Sequence, residues 1–247
     1  MLMMLDSTPQ RLWLLFLLVL WAALLFGGFL FGSSPEENRR MPKWARLSSS
    51  AVLVLAAWSW AMFARSSAIL PYALLIALGM TFGFIGDCFI AGVLVRQGGK
   101  IGGIAGFALG HICYIAAILW LSSALAPLDW GVLMSARLFW WLVAFGGWYW
   151  VVYRPAATIT TLHWLVLPYA LLLATTTAVA TTLALQEPAF WPLVLGAALF
   201  LLSDTILGGA WFGDLHLPNT HDLIWLTYGP GQMLIVYSIG TALALSQ

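Results

Sequence analysis

The chain has 247 residues, of which 62% are hydrophobic and 8% charged, and its formal net charge is +1. A soluble domain carries about 25% charged residues, so a water-soluble globule is excluded. A near-neutral chain also lacks the basic footprint of a nucleic-acid binder.

Eight apolar runs approach or reach the roughly 20 residues that a membrane-spanning helix needs. They lie near 12–32, 48–64, 68–92, 104–124, 131–153, 162–186, 190–211 and 222–244. The first is too long for the apolar region of a signal peptide, usually 7–15 residues, and only Arg11 and Asp6 precede it, so it reads as a retained span. The second is short and extends back toward Trp44. Turn chemistry or charge marks the breaks: Pro35-Glu36-Glu37, Arg65-Ser66-Ser67, Gly98-Gly99-Lys100, Pro127, Arg154-Pro155, Glu187-Pro188 and Pro218-Asn219. The ten-residue alternating segments of a β-barrel are missing. The expectation is therefore an all-α, polytopic bundle of eight helices forming one membrane domain over residues 1–247. Cys88 and Cys113 fall inside apolar runs with no Cys-x-x-Cys spacing, and they read as small buried side chains rather than a disulfide framework.

Lys and Arg set the orientation. The loops after spans one, three, five and seven hold Arg39, Arg40, Lys43, Arg46, Arg96, Lys100 and Arg154, against Arg11, Arg65 and Arg137 on the other side. Both termini are expected outside and the odd-numbered loops in the cytoplasm, in a bacterial cell membrane. Arg137 reads as snorkelling to the outer interface. Trp13, Trp44, Trp130, Trp150, Trp191 and Trp211 sit near span ends, as an interfacial belt requires.

Two aspartates break the apolar pattern. Gly86-Asp87-Cys88-Phe89-Ile90-Ala91-Gly92 closes the third span, and Ser203-Asp204-Thr205-Ile206-Leu207-Gly208-Gly209 lies in the seventh. A carboxylate at the centre of a span costs about 2.5–3.5 kcal/mol on insertion scales, so each reads as functional. The two segments are 117 residues apart, and at that offset Pro71 matches Pro188 and Leu78-Gly79 matches Leu195-Gly196. An offset of four helices suggests two parallel four-helix halves; chance likeness between Leu- and Gly-rich helices is the plain alternative. At 1.5 Å per residue, Asp87, Asp204 and His111 fall roughly 10, 6 and 5 Å to the cytoplasmic side of the midplane. Tyr228 and Gln232, at i and i+4, share one face of the eighth span. Asp87, His111, Tyr114, Asp204, Tyr228 and Gln232 therefore read as one pocket opening to the cytoplasm. His111, Tyr114 and Gln232 each also have a bland reading as interhelical hydrogen bonders. His163, His216, His221, Asp214 and Asp222 read as a solvated inner loop or, alternatively, as metal ligands, though His216-x4-His221 matches no standard zinc spacing.

At these residues the chain resembles the YhhN-like lysoplasmalogenase family of eight-helix membrane proteins. The resemblance rests on Gly86-Asp87, Gly110-His111-x-x-Tyr114, Pro168-Tyr169, Phe200-x-x-Ser203-Asp204, and Tyr228 with Gln232, and it covers roughly residues 40–245. It departs where the family shows Lys-Pro before the second helix, since this chain has Met41-Pro42-Lys43. The resemblance implies that Asp87 and Asp204 are the catalytic pair, with His111, Tyr114, Tyr169, Ser203, Tyr228 and Gln232 around the substrate. It implies cleavage of a lysoplasmalogen vinyl ether to a fatty aldehyde and a glycerophospho-base. The expected partners are a lysophospholipid substrate and membrane lipids, with no cofactor and no metal.

Paired carboxyls suit that chemistry on their own account. Protonating the β-carbon of a vinyl ether creates an oxocarbenium ion, and glycosidases meet such a cation with one acid and one carboxylate. Arg96, Lys100 and Arg154 are candidates for the lipid phosphate, or serve orientation alone. A proton-coupled transporter and a metal-dependent lipid hydrolase are the competing readings.

Overall fold

The computed structural model describes residues 8–33, 39–95, 99–213, 215 and 217–246. Eight long helices are present among these residues: α1 (Thr8–Phe31), α2 (Lys43–Phe63), α3 (Leu70–Ile90), α4 (Gly99–Leu125), α5 (Trp130–Gly147), α6 (Thr161–Gln186), α7 (Trp191–Phe212) and α8 (Thr220–Leu245). There is no strand among the described residues. The second helix starts at Lys43, close to Trp44 as expected. The fifth span departs from a uniform helix: α5 ends at Gly147 and the chain continues as a π-helical turn over Trp148–Tyr153. A short 3-10 turn, Pro188–Phe190, leads into α7.

Seven of these helices are long and apolar enough to cross a membrane. Large apolar side chains cover the outside of the bundle, among them Phe16, Val19 and Leu30 of α1 and Leu138, Phe139 and Leu142 of α5. Such a surface is stable in hydrocarbon rather than water. The chain is therefore an integral membrane protein. The exception in composition is α8, whose 26 residues include His221, Asp222, Tyr228, Pro230 and Gln232. Its position explains this: α8 packs against α7, α2, α3 and α1, so its polar groups meet helices rather than lipid.

The tightest crossing joins α3 to α4 and is made of glycines. A Cβ on Gly106 would lie 2.9 Å from the Cα of Gly86, and one on Gly110 would lie 2.8 Å from the Gly79 carbonyl oxygen. In lipid, where the hydrophobic effect does not press helices together, close backbone packing of this kind drives association. Away from this crossing, Trp60, Tyr72 and Phe190 are fully buried, and the Tyr72 hydroxyl pairs with Ser238 Oγ at 2.6 Å.

At the end of the bundle that carries the loops after α1, α3, α5 and α7, here called the basic end, the connections are anchored by buried polar groups. Asp222 is 1% exposed, and its carboxylate accepts the backbone N–H groups of Arg40 (2.6 Å) and Met41 (2.9 Å). It clasps the segment before α2 onto the first turn of α8, where a negative charge also suits the helix dipole. His163 is 6% exposed and engages Thr160 and the carbonyl of Phe212, capping α6. Neither belongs to a solvated loop, contrary to the sequence expectation: loop backbone that enters the bundle must find partners, and these side chains supply them. Asp214 and His216 lie outside the described residues. Because Asp222→Ala strands two backbone donors, it is expected to cost about 2–3 kcal/mol, readable as a lower unfolding temperature in detergent. An unchanged transition would show that the clasp does not contribute to stability.

Candidate active site

A cavity of about 260 Å³ opens at the basic end between α2, α3, α4, α7 and α8. Asp87 and Asp204 both line it, together with Ser203 and Tyr228. The carboxyls from the third and seventh helices thus face one space. Helix α3 delivers Asp87 in its last turn, just before Gly92 leaves the helix with φ +68°, a left-handed conformation natural for glycine.

Each carboxyl is held by hydroxyl donors. The Asp87 carboxylate accepts from Ser50 Oγ (2.5 Å) and from the Tyr228 hydroxyl (2.9 Å), both on Oδ2. Behind Tyr228 the chain of donors continues. Gln232 Nε2 donates to the Tyr228 oxygen at 3.3 Å, and the Tyr114 hydroxyl donates to Gln232 Oε1 at 2.7 Å. Glycines make room for this chain: a Cβ on Gly83 would meet Gln232 Nε2 at 2.9 Å, and one on Gly79 would meet the Tyr114 ring at 2.3 Å. A fully connected buried network of this kind fixes one orientation of the group at its end. Asp204 accepts from the Tyr169 hydroxyl and, at 3.3 Å, from Ser203 Oγ.

A second, apolar slot begins at Asp204. Ile90, Phe107, Asp204, Leu207 and Trp211 line both spaces, and the slot, of about 30 Å³, is further lined by Tyr169, Leu173 and Val166 of α6 and by Trp148. The π-helical turn contributes Trp148 and Val152 to its wall, and Trp148 Nε1 donates to the His163 carbonyl at 2.8 Å. Asp204 therefore lines both the cavity and the narrow apolar slot, whereas Asp87 lines the cavity alone.

The other predicted residues divide. Tyr169 lines the slot, Tyr228 and Ser203 line the cavity, and Tyr114 and Gln232 stand behind the wall as links to Asp87. His111 lines neither space. Its Nδ1 pairs with Thr176 Oγ1 at 2.8 Å across α4 and α6, and its ring packs edge-on against Phe200 at 4.4 Å. Of the predicted phosphate contacts, Lys100 lines the cavity, Arg154 instead stacks over Trp150 at 4.5 Å, and Arg96 lies outside the described residues. Sequence reasoning missed Ser50 and treated Arg39 and Arg46, both in the cavity wall, only as orientation charges. The spacing of Arg46 and Ser50, i and i+4 on one helix face, was the available signal. No group of three or more His, Cys, Asp or Glu that could hold a metal ion occurs among the described residues.

A helical membrane protein with two hydroxyl-held carboxyls on one internal cavity is the class that this fold and site define. More particularly, residues 45–239 match the YhhN family, and the chain belongs to that family. The match runs from α2 into α8 and takes in both aspartates and their hydroxyl partners. No curated protein and no solved structure matches the chain.

Proposed function

We propose that this protein hydrolyses the vinyl-ether bond of lysoplasmalogens, releasing a fatty aldehyde and a glycerophospho-base. The observation that carries the reading is the position of Asp204, where the cavity and an apolar slot meet, with Asp87 on the same cavity. A single-chain lipid with its first two chain carbons at that junction places its double bond beside Asp204, and the rest of its alkenyl chain passes the apolar wall of the slot toward the bilayer.

Asp204 then acts as the acid. It protonates the chain-side carbon of the double bond, and the cation forms on the carbon attached to oxygen. Asp87, fixed by Ser50 and Tyr228, supplies the anion facing that cation and takes a proton from the attacking water. The hemiacetal collapses as its C–O bond to glycerol breaks: Asp87 returns its proton to the leaving glycerol oxygen, Asp204 takes the proton of the hemiacetal hydroxyl, and the aldehyde forms with both carboxyls restored. Division of labour in a close carboxyl pair, one protonated and one ionised, is the general behaviour of such dyads.

In this reading both termini lie on the non-cytoplasmic side, and the cavity opens toward the inner leaflet. The excess of Lys and Arg at the basic end supports that orientation. We also read the chain as two parallel halves. The 117-residue offset relates Gly79 to Gly196 and Tyr114 to Gly231, and both pairs are neighbours: a Cβ on Gly79 would touch the Tyr114 ring, and one on Gly196 would touch the Gly231 carbonyl oxygen.

The test is to incubate the purified protein in detergent with a lysoplasmalogen in D2O and to analyse the aldehyde by mass spectrometry. The expected product carries one deuterium on the carbon next to the carbonyl, the mark of carbon protonation. Absence of aldehyde, or aldehyde without that label, would rule the mechanism out.

A further inference from the structure

The mouth of the cavity carries three cations, Arg39, Arg46 and Lys100, each held by a different device. Arg46 is 5% exposed, and its guanidinium lies over the Trp225 ring at 5.8 Å. The Lys100 ammonium lies over Trp211 at 4.9 Å. Arg39 precedes the two backbone N–H groups that Asp222 clasps, so the clasp fixes the chain where Arg39 meets the cavity. Orientation rules place positive charge on one side of a membrane; they do not ask for it inside a bundle wall. The other described basic residues at this end behave as loop charges should. Arg40, Lys43 and Arg154 do not line the cavity.

Position along α2 sets the scale. Arg46 is four residues before Ser50, the donor to Asp87, so it stands about 6 Å nearer the mouth on the same face. That is comparable to the reach across the three carbons of glycerol. The apolar slot meets the cavity at Asp204 and lies beside it, with Leu207, Trp211 and Phe212 of its wall on the basic-end side of that residue. The cations, the carboxyl pair and an apolar wall thus border adjoining spaces, as the phosphate, the ether and the chain of one lipid require.

Resting on the hydrolytic reading above, we infer that Arg39, Arg46 and Lys100 form the subsite for the phosphate of a single-chain glycerophospholipid, and that this subsite selects phosphate-bearing lipids over neutral ones with the same chain. Guanidinium and ammonium groups bind phosphate through charge-assisted hydrogen bonds, and Arg46, shielded from water, loses little to screening.

The experiment measures binding of two non-reactive probes to the full chain in a neutral maltoside detergent. One is 1-O-hexadecyl-glycerophosphocholine and the other is 1-O-hexadecylglycerol; neither has a double bond beside the ether. The phosphate-bearing probe is expected to bind roughly tenfold tighter or better. Arg46→Gln and Lys100→Gln should each remove roughly that factor for it and leave the neutral probe unchanged. Lys100 is exposed, so its variant keeps the test informative should Arg46→Gln fail to fold. Equal affinity of the parent for both probes, or a folded Lys100→Gln protein that binds both as the parent does, would overturn the proposal. Inorganic phosphate is the third arm. Displacement of the phosphate-bearing probe by low micromolar phosphate would make this a free-anion site and would also overturn it. Aldehyde release is measured separately, so a phosphate preference without hydrolysis refutes only the reaction, and hydrolysis without the preference refutes only the subsite.

Discussion

Asp87→Asn and Asp204→Asn are each expected to slow aldehyde release from a lysoplasmalogen by about a hundredfold or more, since a positioned acid or base contributes roughly 10²–10⁴. Asparagine keeps the size of the side chain and its oxygen acceptor, so Ser50 and Tyr228 retain a partner at position 87, and Tyr169 retains one at 204. What is lost is an acidic proton at one site and a negative charge at the other. The two losses act on one transition state, so the double variant should be little worse than either single one. Elution as a single detergent-solubilised species with unchanged circular dichroism would confirm that the fold survives. Either variant retaining more than about a tenth of parental turnover would remove the carboxyl pair from the mechanism, given the contribution such groups make.

Gly106→Val is expected to abolish the folded protein, and Gly106→Ala to cost about 1–3 kcal/mol, the usual range for overpacking. The neighbours of the added carbon are the backbone Cα and N of Gly86 at 2.9 Å and the Phe82 carbonyl at 3.0 Å, which cannot rotate aside as a side chain would. Relief requires α3 and α4 to separate. Gly86 immediately precedes Asp87, so a surviving Gly106→Ala protein should also turn over more slowly. Gly27→Ala and Gly146→Ala are the controls. A Cβ at either position meets nothing within 4 Å, and alanine favours helix by roughly 0.5–1 kcal/mol. Thermal unfolding in detergent that ranks all three alanine variants alike would contradict the crossing described for α3 and α4.

The helices and the aspartates were legible in the sequence for the same reason. Hydrocarbon tolerates few polar atoms, so apolar runs mark the spans and an Asp within one stands out. The cavity was legible only along the bilayer normal. Counting residues gives a depth, and at that level His111 belongs with Asp87 and Asp204. It does not give the angle around a helix, which an amphipathic stripe would supply; a helix enclosed by others has no such stripe. His111 accordingly points to Thr176 of α6 and the ring of Phe200 instead of the cavity. Ser50 was hidden for a related reason. Beside Ser48 and Ser49 it is marked only by its i, i+4 spacing from Arg46, and only the approach of α2 to α3 brings it to Asp87. Arg46 was legible as a charge but not as a buried one. The π-helical turn at Trp148–Tyr153 left no trace either, since its run of aromatic and β-branched residues fits an ordinary span equally well.

The polarity of α8 bears on how the protein is made. A segment with His, Asp, Gln, Pro and three Gly in its 26 residues gains little by leaving the translocon for lipid alone. It gains by entering a groove already shaped by α1, α2, α3 and α7, where Tyr228 finds Asp87 and Asp222 finds the backbone before α2. Insertion of α8 and assembly of the site are then one event: seating this helix against its neighbours is what brings the Tyr228 hydroxyl to Asp87.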